Sequence, residues 1–144
     1  MFYASAAKAL SKIGKIQGVI QRLGEIPRSL AREAAPDIND LIQEQFKAGV
    51  DPYGRRWRPL SKATRAKGRR NPPLTASGAF ADNTRVVSGP GLRFKLGRPY
   101  GYFHQVGTRN MPARRIFPQN GIPRAWSAVI RKAAARLAAR ARAA

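Results

Sequence analysis

The chain has 144 residues, no cysteine, and 28 Lys plus Arg against 7 Asp plus Glu, for a formal charge of +21. Its 43% hydrophobic content suits one folded domain and excludes a disordered chain; without cysteine there is no disulfide framework, thiolate metal site or cysteine nucleophile. No apolar run reaches the roughly 18 residues of a membrane span, and Lys8, Lys12 and Lys15 interrupt the first twenty residues, so no signal-peptide core is expected there.

Residues 3–23 place Ala6, Ala9, Leu10, Ile13, Ile16, Val19, Ile20 and Leu23 at helical spacing, with Gly24 as a closing C′ glycine. Pro27 suits the first turn of a second helix, while Pro36 and Asp37 predict an interruption and restart. From there Ile38, Leu41, Ile42, Gln45 and Phe46 carry a helix to about Ala48, closed by Gly49. Residues 50–76 hold four prolines and two glycines, which predicts a long loop, with Ser61 capping a short turn over Thr64–Lys67. Eight basic residues fall between Arg55 and Arg70. Residues 77–82 suit one helical turn. TRVVS and LRFKL then flank a Gly-Pro-Gly turn and read as a β-hairpin, with Leu92, Phe94 and Leu96 on one face and Arg93 and Lys95 on the other. A short helix is expected around Tyr102–Gln105, an extended segment with Ile116 and Phe117 as apolar anchors, and a long helix over 122–144. Trp126, Val129, Ile130, Ala133, Leu137 and Arg140 trace one face of that last helix. The expectation is a single α+β domain: a helical part over 1–49, a loop and small antiparallel β core over 50–121, and the C-terminal helix.

Charge is the outlying feature. No acid follows Asp82, while 13 Lys and Arg do. A field of that sign attracts nucleic acid or an acidic protein surface, and does not separate the two. Tyr53 and Trp57 beside the arginine run fit a stacking platform for nucleic acid, although no zinc-finger, RNP or basic-zipper spacing accompanies them. For catalysis, His104 is the only histidine and has no acid near it in sequence. Asp37 and Asp40 read as first-turn acids complementing a helix dipole rather than a catalytic pair. No phosphate-binding glycine motif is present. Neither enzymatic activity nor a metal or other cofactor is expected.

Four segments in order carry a resemblance: FKAGVDPYGRRWRPLSKAT, PPLTASGAF, YGYFHQVGT and MPARRIFP, from about Phe46 to Pro118. Together they resemble the tailed-bacteriophage virion morphogenesis and tail completion family of Mu-like and related phages. The motif positions are Gly54, Trp57, Leu60, Gly78, His104, Gln105, Gly107, Pro112, Ala113 and Arg114. The resemblance implies a non-enzymatic structural protein of the virion neck or tail, present in the host cytoplasm during assembly. Its implied partners are tail terminator and head-completion proteins, with copies of the chain in a ring around the DNA channel; a hexamer would match tail symmetry. The alternative is a nonspecific nucleic-acid-binding protein of ribosome- or nucleoid-associated type. From the residues, Trp57, Leu60 and Phe80 are expected to pack a local core, and His104 and Gln105 to hydrogen-bond neighbouring loops. Arg55, Arg56, Arg58, Arg69, Arg70, Arg114 and Arg115 are the candidate contacts to DNA or an acidic partner, Arg114 and Arg115 foremost because guanidinium forks bind carboxylates and phosphates bidentately.

Overall fold

A computed structural model describes residues 22–69, 73–74, 78–97 and 101–144. The elements in chain order are α1 (Arg28–Ala48), α2 (Lys62–Ala66), α3 (Ala79–Asn83), β1 (Arg85–Ser88), β2 (Leu92–Lys95), α4 (Gly101–Val106) and α5 (Arg124–Ala143). The fold is α+β. Of the helix expected over 3–23, only 22 and 23 are described; residues 22–24 are helical, and Gly24 ends the turn without the left-handed φ of a C′ glycine.

Helix α1 organises the molecule. Ala31, Ala34, Ala35, Ile38, Ile42, Gln45 and Phe46 are its buried residues, a 3–4 spacing that forms one continuous stripe. Gly49 ends it in the left-handed conformation, φ 67°. The break expected at Pro36 does not occur; α1 runs straight through it. Pro36 is exposed, as is Arg32, whose carbonyl the proline leaves without an intrahelical donor. Water can satisfy that carbonyl, so the stripe on the opposite face decides the outcome. As a consequence Asp37 lies in mid-helix and not in a first turn.

Helix α5 packs along α1 and inserts Trp126, which is fully buried. Arg136 fastens the pair: its Nε meets the Glu33 carboxylate at 2.8 Å and its Nη2 meets Asp37 at 2.9 Å, and Arg140 also bridges to Glu33. Beyond Ala133, α5 is exposed apart from half-buried Leu137.

The hairpin pairs Arg85 with Lys95, Val86 with Phe94, Val87 with Arg93 and Ser88 with Leu92. Val86 and Leu92 are buried, Phe94 and Leu96 are half-buried, and Arg93 and Lys95 are exposed, as the alternation predicts. Two strands alone are marginal. Here α1 supplies the missing support: the Asn39 carboxamide donates to the Val86 carbonyl (3.0 Å) and accepts from the Val86 N–H (2.7 Å), as a third strand would. Two sets of rings fill the core. Phe80 and Trp57 each meet Phe46 edge-on, at 5.8 and 5.6 Å. Phe94 meets Phe117 edge-on at 4.6 Å and stacks on Trp126 at 6.0 Å.

Hydrogen bonds from Arg136 and Arg140 hold the Glu33 carboxyl below its ordinary proton affinity. Its contribution to stability is therefore complete above the ordinary glutamate range and is lost as pH falls through the lowered value. Arg136→Ala should lower the thermal midpoint at neutral pH and low salt. The deficit should shrink in about 1 M NaCl, because exposed pairs are screened; scanning calorimetry across salt and pH checks both.

Candidate functional site

The DPYG turn is built by Asp51. Its buried carboxylate accepts the N–H groups of Tyr53 and Arg55, both at 2.9 Å, and Gly54 completes the turn at φ 84°. The aromatic side chains of this stretch point inward. The Tyr53 hydroxyl donates to the Gly121 carbonyl (2.6 Å) and accepts from the Gln119 and Asn120 N–H groups. Trp57 is 6% exposed, and its indole N–H donates to the Arg115 carbonyl (2.8 Å). Both aromatics read as a nucleic-acid stacking platform are thus committed to internal contacts. Arg55, Arg56 and Arg58 are exposed.

Short helix α4 presents Gln105 to the extended segment 114–117. The Gln105 side-chain oxygen accepts from the N–H groups of Ile116 (2.8 Å) and Phe117 (2.9 Å), and its nitrogen donates to the Phe117 carbonyl (2.7 Å). One residue earlier, the His104 carbonyl accepts from the Arg114 N–H (2.7 Å), and the His104 ring lies 5.5 Å from Phe80. Gly107, at φ 77°, brings the chain so close to Ala113 that a Cβ would sit 2.8 Å from the Ala113 nitrogen. Gly78 begins α3 at φ 73°.

Arg114 does not reach outward. It is 6% exposed and donates to the carbonyls of Arg58 (2.8 Å) and Pro59 (3.2 Å). A buried arginine without a carboxylate beside it must find acceptors, and two loop carbonyls supply them. Arg115 is half-buried, and Arg69 is exposed; Arg70 lies outside the described residues.

These pieces meet on an open groove of about 1010 Å³. Leu60, Leu74, Phe80, Met111 and Pro112 line it with apolar groups, and Arg58, Arg69, Arg109 and Arg114 line it with cations. No Asp or Glu lines it among the described residues. Leu60, expected in a local core with Trp57 and Phe80, is half-buried and lines this groove, whereas the other two are in the core. Leu74 holds φ 68°, a backbone conformation unusual for a non-glycine residue. The Arg114 guanidinium lies beside Arg58; burial, then that neighbour, lowers its proton affinity, yet an arginine stays charged. Burial, then the Arg114 cation, pushes the His104 pKa down and favours neutral imidazole.

Each resemblance segment thus reaches the groove through Leu60, Phe80, His104, Pro112 or Arg114. Sequence reasoning missed the struts behind them: the Tyr53 hydroxyl, Asn39, and Gln43, which donates to the Ala81 carbonyl at 2.9 Å. Gln45 carried a readable signal, being an amide inside an apolar helical stripe. It donates to the Ile116 carbonyl (3.1 Å) and accepts from the Trp126 indole (3.3 Å). No protein-family model, curated protein or solved structure matches this chain.

Gln105→Leu keeps the volume but strands three buried backbone groups. At about 1–3 kcal/mol each, the loss should be at least about 3 kcal/mol in denaturant unfolding. For His104, the unfolded chain takes up a proton near the ordinary histidine pKa of about 6.5, before the native chain does. Stability should be complete above that value and decline as pH falls below it. His104→Gln should flatten this slope in urea titrations at pH 5 to 7.5.

Proposed function

We propose that the chain is a structural, non-enzymatic assembly protein of a phage neck or tail, docking onto other virion proteins around the DNA channel. The supporting observation is convergence. Residues from four separated segments, the same four that carry the family resemblance, line a single groove. Behind it stand fixed polar struts, and its lining offers one imidazole and no carboxylate among the described residues. That arrangement suits holding a partner more than acid–base chemistry, which needs paired titrating groups. The implied setting is a ring of copies at the tail axis, next to tail terminator and head-completion proteins.

The test is particle assembly. Deleting the gene from its phage or prophage should leave heads and tails unjoined, and cryo-electron microscopy of intact particles should place the chain between portal and tail tube. Complete, joined particles in the deletion would overturn the assignment.

The exposed arginines and lysine of α5, Arg131, Lys132 and Arg142, support a second reading as a nonspecific nucleic-acid binder. Duplex DNA binding with a steep salt slope that persists at physiological salt would favour it over assembly.

A further inference from the structure

We infer that the groove between the 58–61 segment, α4 and the 108–114 segment takes an extended peptide of another protein, one that alternates acidic with apolar side chains. The inference deepens the assembly reading and rests on it for the partner's setting.

Charge is the first argument. Arg58 and Arg109 are exposed at the groove, and Arg114 adds a buried cation whose hydrogen bonds go to neutral carbonyls rather than to a carboxylate. Its charge therefore stays uncompensated and adds to the field in the concavity. The chain itself is a poor source of the complement. Of its seven acids, Glu33 and Asp37 are held by Arg136, and Asp51 is buried in its own turn. None of the seven lines the groove, so the complement to its cations comes from a different molecule.

The apolar part of the lining is the second argument, and it separates peptide from nucleic acid. Phosphate contacts need cations but no apolar surface, and a duplex presents its charge on a convex face. Single strands use apolar surface through aromatic stacking, yet Tyr53 and Trp57 are engaged internally, Phe80 is 6% exposed, and the exposed rings of Tyr102 and Phe103 are not part of the groove lining. What the groove presents is aliphatic and thioether surface, from Leu60, Leu74 and Met111, beside arginine. An extended peptide points alternate side chains to opposite sides, so it can set leucine-like residues against the apolar lining while its carboxylates reach the arginines. Arginine clusters read acidic motifs in this way.

The probe is a fluorescent peptide of about a dozen residues alternating Glu with Leu, measured by anisotropy in about 150 mM salt. Oligo-Glu and oligo-dT of equal length serve as competitors. The alternating peptide should bind best, and the double variant Arg58→Ala/Arg109→Ala should weaken it about tenfold or more with an unchanged thermal midpoint. Neither side chain makes a structural hydrogen bond in the fold described above. The double variant Arg131→Ala/Lys132→Ala removes equal charge from α5 and should leave binding intact. Equal loss from both double variants would reduce the effect to net charge and overturn the proposal. Oligo-dT displacing the peptide and responding to the groove variant would overturn it in favour of nucleic acid. In the phage, normal joining of particles carrying the groove variant would refute the groove while leaving the assembly role standing; joined particles without the gene would refute the role itself.

Discussion

Backbone buried without a sheet to pair with is the constraint on which this molecule turns. Segment 114–117 and the loops near it run through the interior, but the described residues form only one two-stranded ladder. An unpaired buried amide or carbonyl costs about as much as a typical single mutation can remove. Side-chain amides take the place of missing strands: Gln105 and Gln45 along 116–117, Asn39 on β1, Gln43 on α3. Three of these four stand on α1, which explains why one helix can hold together elements that barely touch one another.

The same economy shapes the electrostatics. Acidic residues are scarce, and the structure concentrates several of them on internal tasks, with Glu33 and Asp37 locking α5 to α1 and Asp51 forming the turn. The groove is left with cations alone. Arg114 reconciles a buried guanidinium with the lack of acids by gripping the carbonyls of Arg58 and Pro59, which also ties the 112–116 segment to the segment after Trp57. Position and charge thus come from a single residue. A groove built this way is preformed, and preformed sites lose less conformational freedom on binding.

Much of the architecture was legible because it follows from short-range rules. The hairpin follows from alternation around Gly-Pro-Gly, α2 from its Ser61 cap, the end of α1 from Gly49, and α5 from its apolar spacing. Pro36 does not break α1, because its side of the helix faces water, a fact that no local rule contains. Arg114 eludes the sequence in a different way. Nothing in MPARRIFP distinguishes an arginine that meets a partner from one that binds a carbonyl fifty-six residues away. Tyr53 shows the same ambiguity: aromatic neighbours of arginine suggest stacking, whereas its hydroxyl closes the loop before α5.

By itself, then, the amino-acid order determined the element types, most of their boundaries, the two-faced hairpin and an excess of positive charge. These depend on residues within a few positions of one another, where periodicity, capping and turn chemistry act. Only the tertiary structure decided which polar groups face inward and which cations remain outside. That outcome depends on contacts between distant segments, where a buried carbonyl or carboxylate must be met by whichever side chain the packing brings within reach. The arginines of DPYGRRWRPL look alike in sequence; the fold turns its tryptophan and tyrosine inward and leaves the arginines at the surface, with Arg58 at the groove.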